Sequence, residues 1–478
     1  MKITFTFLAI LLLGINSNSQ WQTDMRLTND PSVSGTSWNN MRCISASVNN
    51  VYAVWHENRD GNFEIYFKRS TDGGISWGTD TRLTYNSSDS WYPTVFAFGS
   101  TVNLVWHDER DGNKEIYYKR STDGGISWGT DMRLTNNSAG SWYPCVAVSG
   151  SVLHVVWCDL RTGAQIYYTR STNGGLNWST DSRLSSPTSQ SYTPSITASG
   201  SFVHAAWYDY RDGNEEIYYK RSSDGGINWG TDTRLTNNPF LSYTPCISSS
   251  DSTVHVVWHD LRDGNAEIYY KHSVNSGINW SGDIRLTNNV DTSGFPSVVV
   301  SGSSVHVVWF EKRDGNGEIY YKLSTNGGIN WGVDTRLTNN TFESKHASVT
   351  ASGAMVHVVW TDHRDGNAEI YYKRNPSGNP FGIHTISSEI PKEFSLLQNY
   401  PNPFNPSTKI EFRISKLGFT TLKVFDVLGR EVATLVNEQF QAGTYEVDFD
   451  GSNFASGVYY YKITAGDYTE TKKMILIK

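Results

Sequence analysis

Cysteine is scarce in this chain, with four residues in 478. So few thiols in a chain this long exclude a scaffold built on disulfides. Excess charge of one sign is lacking too. A net charge of -7 gives no electrostatic basis for binding nucleic acid. Long apolar runs are also missing. The one near the start, residues 3–13, follows Lys2 and gives way to Ser17-Asn18-Ser19, so cleavage is expected before Gln20. Residues 1–19 therefore read as a secretory signal peptide. No later stretch is long enough to cross a bilayer, so no transmembrane segment is expected in the mature chain. No cysteine lies in the signal region to carry a lipoprotein anchor. Helical periodicity is absent throughout, and the expected fold is all-β.

What the chain has is a repeat. A strand ending in Trp recurs at Trp55, Trp106, Trp157, Trp207, Trp258, Trp309 and Trp360, at a spacing of 51 residues and once 50. A second series, Trp77, Trp128, Trp178, Trp229, Trp280 and Trp331, keeps that period. One unit shows the content. Residues 143–150, "YPCVAVSG", read as a short strand closed by a Ser-Gly turn. Residues 152–157 read as a buried β-branched strand, 165–171 as an alternating one and 178–184 as a fourth. Four strands in a period of about 50 fit one blade of a β-propeller.

The fourth strand is miscounted. The first three strand types occur seven times each, yet the fourth follows a third strand only six times. After Tyr372 the chain reads "KRNPSGNPFG", with no Trp. The missing strand stands at the front: "WQTDMRLTND", residues 21–30, echoes "WGTDMRLTNN" at 128–137. We therefore expect a seven-bladed propeller over residues 20–381, its last blade completed by the N-terminal outer strand pairing near Ile370. Such a seam removes an open sheet edge. A linker at 382–393 and a small β-sandwich at 394–478 follow.

The turn "STDGGISW" at 70–77, repeated at 121–128, varies to "STNGGLNW", "SSDGGINW", "SVNSGINW" and "STNGGINW". It resembles the Asp box of sialidase-type propellers, S-x-D-x-G-x-[ST]-W. Asp72, Asp123 and Asp224, with Asn173, Asn275 and Asn326 in the other copies, are expected to accept backbone N–H bonds inside the turn, while Gly supplies a positive φ. Asn cannot replace a carboxylate in chemistry, so the motif reads as structural. In the family it resembles, the box lies opposite the active site. The family's first catalytic arginine sits in an R-I-P motif that this propeller lacks, and seven blades differ from the family's usual six. No catalytic residue is carried over.

After each strand-ending Trp comes an acid and then an arginine: Arg59, Arg110, Arg161, Arg211, Arg262, Arg313 and Arg364. They lie on hairpins expected at the ligand face. Two readings fit, a ring of ligand-binding cations or a repeated acid–Arg bridge. A seven-fold repeat of one pair does not supply the distinct acid, base and nucleophile that catalysis needs. "DERDGNKE" at 108–115 invites a calcium reading, but Arg110 stands where a second acid belongs. No metal and no cofactor is expected. The third hairpin is the odd one. It carries Thr162, Ala164 and Gln165 in place of Asp, Asn and Glu, yet keeps Arg161.

Asymmetric residues on that face are Glu109, Tyr210, His363 and His346, with Glu109 and the two histidines as candidate acids or bases. Trp38, Trp91 and Trp142 head a series of aromatics that either stack on sugars or wedge between blades. Small residues open each first strand, Cys43, Cys145 and Cys246 among them. Hairpin register sets Cys145 opposite Cys158, which leaves one cross-strand disulfide open.

Composition shifts near Phe394. "NPFNPST" at 402–408, "DVLGREV" at 426–432, "SGVYYYK" at 456–462 and the terminal "KKMILIK" closely resemble the type A C-terminal sorting domain of the type IX secretion system. The resemblance implies a Gram-negative bacterium of the Bacteroidetes or a related group. It also implies passage through the periplasm, contact with the secretion machinery through residues 394–478, and release or attachment at the cell surface. Three functions then compete: a non-catalytic module binding glycans or a surface protein, a divergent sialidase-like glycoside hydrolase or polysaccharide lyase implied by fold alone, and a scaffold without a ligand.

Overall fold

A computed structural model describes residues 21–478 apart from 38–40, 187, 377–383, 388, 417, 441 and 452–453. The signal-peptide stretch and Trp38 lie outside the described residues.

Among the described residues all regular structure is β. Residues 25–375 form seven antiparallel sheets on one plan, numbered here by their Trp from Trp55 to Trp360. Sheet two shows the plan: Ser90–Phe98, Thr101–Asp108, Glu115–Ser121 and Met132–Arg133, paired in that order. The second strand is an apolar, β-branched run because it is covered on both faces; Val102, Leu104, Val105 and Trp106 are all buried. Each first strand packs on the first strand of the next sheet, and Ser344–Ser352 of sheet seven packs on Ile44–Ser47 of sheet one. The sheet-to-sheet contacts thus run in a circle.

The circle is joined by the two ends of the repeat region. Met25–Arg26 pairs antiparallel with Glu369–Asn375, Met25 opposite Tyr372 and Arg26 opposite Tyr371. Gln22 N donates to Arg374 O at 3.0 Å and Leu27 N to Ile370 O at 2.8 Å. The chain then crosses into sheet one, where Ser34–Gly35 pairs with Glu57 and His56. The paired part of every outer strand is two residues long, shorter than the seven-residue strand read at 178–184. Its Trp turns away from the ladder to pack elsewhere.

The register corrects the cysteine expectation. A bulge between Trp142 and Cys145 sets Cys145 opposite Val156 and Cys158 opposite Trp142. All four cysteines are buried free thiols. The bulge comes from a residue in the left-handed region, Tyr143 at φ 53°, just before Pro144. Its counterparts are Tyr92, Thr193, Thr244, Phe295 and His346.

The remaining strands form two four-stranded sheets whose inward side chains, among them Phe412, Leu422, Tyr461 and Met474, make one core. His384–Ser387, inside the stretch expected to be linker, pairs with Gly443–Asp450 of this unit.

Candidate functional site

Antiparallel order puts the turns between second and third strands at one end of each sheet, with the loops that lead to the next sheet. This end is the hairpin face. The Asp-box turns occupy the other end.

All seven arginines are on hairpins at the first end, and each is already engaged. In sheet two, Arg110 Nε and Nη2 donate to Asp108 at 2.8 and 2.6 Å, and Nη1 reaches Asp131 of the outer strand at 2.7 Å. Lys119 pairs with the second oxygen of Asp131 at 2.8 Å. Asp108 is wholly buried. It also accepts from the Trp106 indole at 2.9 Å and Ser90 at 2.8 Å. Burial alone would raise its pKa, but the bonds from Arg110 and Trp106 outweigh this and hold it below the ordinary carboxylate value. In every sheet the arginine meets an outer-strand Asp at 2.6 to 2.9 Å. Each guanidinium lies 4.0 to 4.4 Å from a third-strand Tyr ring. In sheet seven the outer-strand Asp is Asp24, so the N-terminal strand supplies the missing part there too.

A second network, missed in the sequence, lies beside the first. Glu115 is wholly buried. It accepts from Arg133 at 2.8 Å, Asn113 at 3.0 Å and the backbone of Asn137 at 3.1 Å. Asp111 accepts from the Tyr117 hydroxyl and pairs with Arg133 at 3.4 Å. The Asp, Asn and Glu that the third hairpin replaces together are therefore parts of one network. In sheet three, Gln165 instead accepts from Ser185 at 2.7 Å and donates to Ser189 O.

The aromatic residues gather at the same end. Trp91 is half-buried and lies 3.9 Å from Phe63 and 4.8 Å from His56. Trp142 carries Lys114 over its ring at 5.1 Å. Tyr210 is 41% exposed, bonds Glu215 at 2.7 Å and lies beside Tyr192 and Tyr208. His346 packs on Phe295 at 5.3 Å. His363 Nδ1 lies 3.1 Å from Glu343 O, and Glu109 pairs with Lys114 at 3.5 Å. Burial pushes His56, His107, His259 and His346 down to about 3, so they are neutral at ordinary pH. Among the described residues, no group of three His, Cys, Asp or Glu side chains could hold a metal ion.

The Asp-box turns are built as their sequence suggests. Asp72 accepts from Ser76 N at 2.9 Å, Ile75 N at 3.0 Å and Ser70 Oγ at 2.7 Å. The hydrogen bonds from Ser76 chiefly hold its pKa far below the usual range. Each box Trp packs edge-on to a third-strand ring of the preceding sheet at 4.8 to 5.0 Å, and Trp21 does so against Tyr321 at 4.9 Å. A buried His shares this end in five sheets, as where His204 Nδ1 meets the Tyr219 hydroxyl at 2.6 Å. Those histidines recur at one place in the second strand, a signal that the repeat carries and that the Trp series overshadows.

Residues 398–478 match the family described as the secretion system C-terminal sorting domain, which marks the chain for export. No curated protein sequence matches the chain. Among solved structures, an ulvan lyase of polysaccharide lyase family PL25, bound to -[GlcA(1-4)Rha3S]-, aligns at TM-score 0.54 and 10% identity over 73% of this chain and 95% of its own. The polysaccharide lyase Uly1 aligns at 0.51 and 9% identity, over 74% and 99%. The phage phi92 endosialidase aligns at 0.47 and 11%, over 95% and 87%. The two lyases show the fold: a propeller-like assembly of repeated four-stranded sheets. No helix among the described residues is long and apolar enough to cross a membrane.

Proposed function

We propose that this chain is an exported seven-bladed β-propeller that binds glycans on its hairpin face without altering them. Residues 394–478 act as a type IX sorting domain with a β-sandwich fold, and the propeller is released or held at the cell surface. Seven sheets in circular contact, with the N-terminal strand in the last, support the blade count.

One observation carries the binding role. The hairpin face offers the half-buried rings of Trp91, Trp142 and Tyr192 and the exposed ring of Tyr210, while the buried carboxylates beneath it are matched by built-in cations. Rigid amphipathic rings of this kind present stacking area at small entropic cost. The hairpin arginines stack on third-strand Tyr rings and are held by carboxylates, so they do not compete for ligand. A lyase or hydrolase reading needs a base and an acid with pKa values near the working pH. Here burial moves His346 down to about 3, and burial with the Glu215 bond moves Tyr210 up to about 12. Both shifts lead away from that range.

Calorimetric titration with neutral and acidic oligosaccharides tests the reading. Binding should fall about tenfold or more in Trp142→Ala and Tyr210→Ala with the melting temperature nearly unchanged. Undiminished binding in both variants would overturn the face assignment.

A further inference from the structure

The repeat contains its own control for a binding site. In six sheets the outer-strand arginine, such as Arg133, is held between two carboxylates. The Glu contacts run from 2.6 to 2.9 Å and the Asp contacts from 3.2 to 3.4 Å. The same Asp accepts the hydroxyl of the third-strand Tyr, as Asp263 does from Tyr269 at 2.6 Å. A carboxylate therefore sits between a phenol and a guanidinium in each of these sheets.

Sheet three has the phenol and the guanidinium but not the carboxylate. Thr162 replaces the Asp and Gln165 the Glu, while Tyr167 and Arg183 remain. Arg183 makes no ion pair or hydrogen bond among the described residues, and it is exposed. Tyr167 still packs on Trp157 and under Arg161, but its hydroxyl has lost the partner its counterparts have. The charge changes as well. Sheet two sets Asp108, Asp111, Glu115 and Asp131 against Arg110, Lys119 and Arg133. Sheet three sets only Asp159 and Asp181 against Arg161 and leaves Arg183 over.

We infer that sheet three takes an external carboxylate, carried on a uronic-acid sugar, between the Tyr167 hydroxyl and the Arg183 guanidinium. The ligand's carboxylate occupies the place that an Asp side chain fills in six sister sheets. Arg183 supplies a charge-assisted bond and Tyr167 a second donor. This rests on the glycan-binding reading and names its preferred ligand class. It also gives a nearly symmetric ring one blade that differs.

The test compares oligogalacturonate with its methyl ester, the same sugar without the charge. The unmodified protein should favour the acid by about tenfold. Arg183→Gln should abolish that preference. Thr162→Asp should do so too, because it restores the internal carboxylate and with it the arrangement of the other sheets, so loss of fold does not confuse the result. An acid preference that survives in both variants would overturn the site. So would equal binding of acid and ester by the unmodified protein, which leaves glycan binding itself standing. If neither sugar binds, the glycan reading fails, and the Arg183 Nε–H resonance decides the site. Displacement by acetate in the unmodified protein but not in Thr162→Asp supports it, and an unmoved resonance overturns it.

Discussion

At the residue scale, glycines and buried ionisable groups do most to specify the ring. Gly327 and Gly328 both have positive φ, at 70° and 85°, but their surroundings differ. A Cβ on Gly327 meets open space, whereas one on Gly328 collides with the Tyr270 hydroxyl of the preceding sheet. Gly327→Ala should cost about 1 kcal/mol for the left-handed backbone. Gly328→Ala should cost at least twice that, because the sheets must also part. Equal denaturation midpoints for the two variants would contradict this. Arg262→Leu leaves the buried Asp260 without its partner and should cost about 3–5 kcal/mol.

The histidines set the acid limit. His56, His107, His154, His204, His255, His259, His306, His346 and His357 are all pushed by burial to about 3 or 4, below the ordinary 6.5. The folded chain therefore binds fewer protons than the unfolded one between those values. Stability is whole above about pH 6.5 and declines as pH falls toward the folded pKa values. Lowered carboxylates such as Asp108 add a second loss at lower pH. The melting temperature should drop from pH 7 to pH 5, and a flat profile over that interval would refute the buried neutral state.

At the scale of the element, the N-terminal strand takes every role of an outer strand. Asp24 meets Arg364 at 2.7 Å, Arg26 meets Glu369 at 2.6 Å, and Asn367 holds the carbonyls of Asp30 and Ser32 at 2.7 Å. Trp21 takes the place of an Asp-box Trp. Deleting residues 21–30 should therefore lower the melting temperature of the entire ring, and Trp21→Ala should lower it by less. A deletion variant that melts like the intact protein would show the strand to be an accessory.

This seam was legible because the repeat is near-perfect and the surplus fragment matches residues 128–137 at eight of ten positions. The hairpin bulge was not. Strand alternation fixes which face a residue takes, but an extra residue at Tyr143 shifts the partner without altering the pattern, and Cys145 moved from Cys158 to Val156. The arginines were visible as a ring, yet their outer-strand partners Asp80, Asp131 and Asp181 lie about 20 residues downstream by sequence count. Only the fold shows that the two meet. The third hairpin's joint substitutions were visible in the sequence, but only the fold shows that the replaced residues share one network with the outer-strand arginine, here Arg183.

At the scale of the whole molecule, near-identical sheets favour repeated contacts with an extended ligand over a single reactive centre. The sorting domain marks the ring for export. Its core is separate from the cores of the ring, so a chain ending before residue 394 should keep the ring's melting transition and its glycan binding.

The most direct measurement of the central claim is the fate of the sugar. The purified ring is incubated at neutral pH with polysaccharides that it retains on an affinity gel, and their chain length is then followed by size-exclusion chromatography. Retention with unchanged length and no new chain ends is the expected result. Shortened chains, with either new reducing ends or unsaturated sugar ends, would contradict it and make the hairpin face an active site.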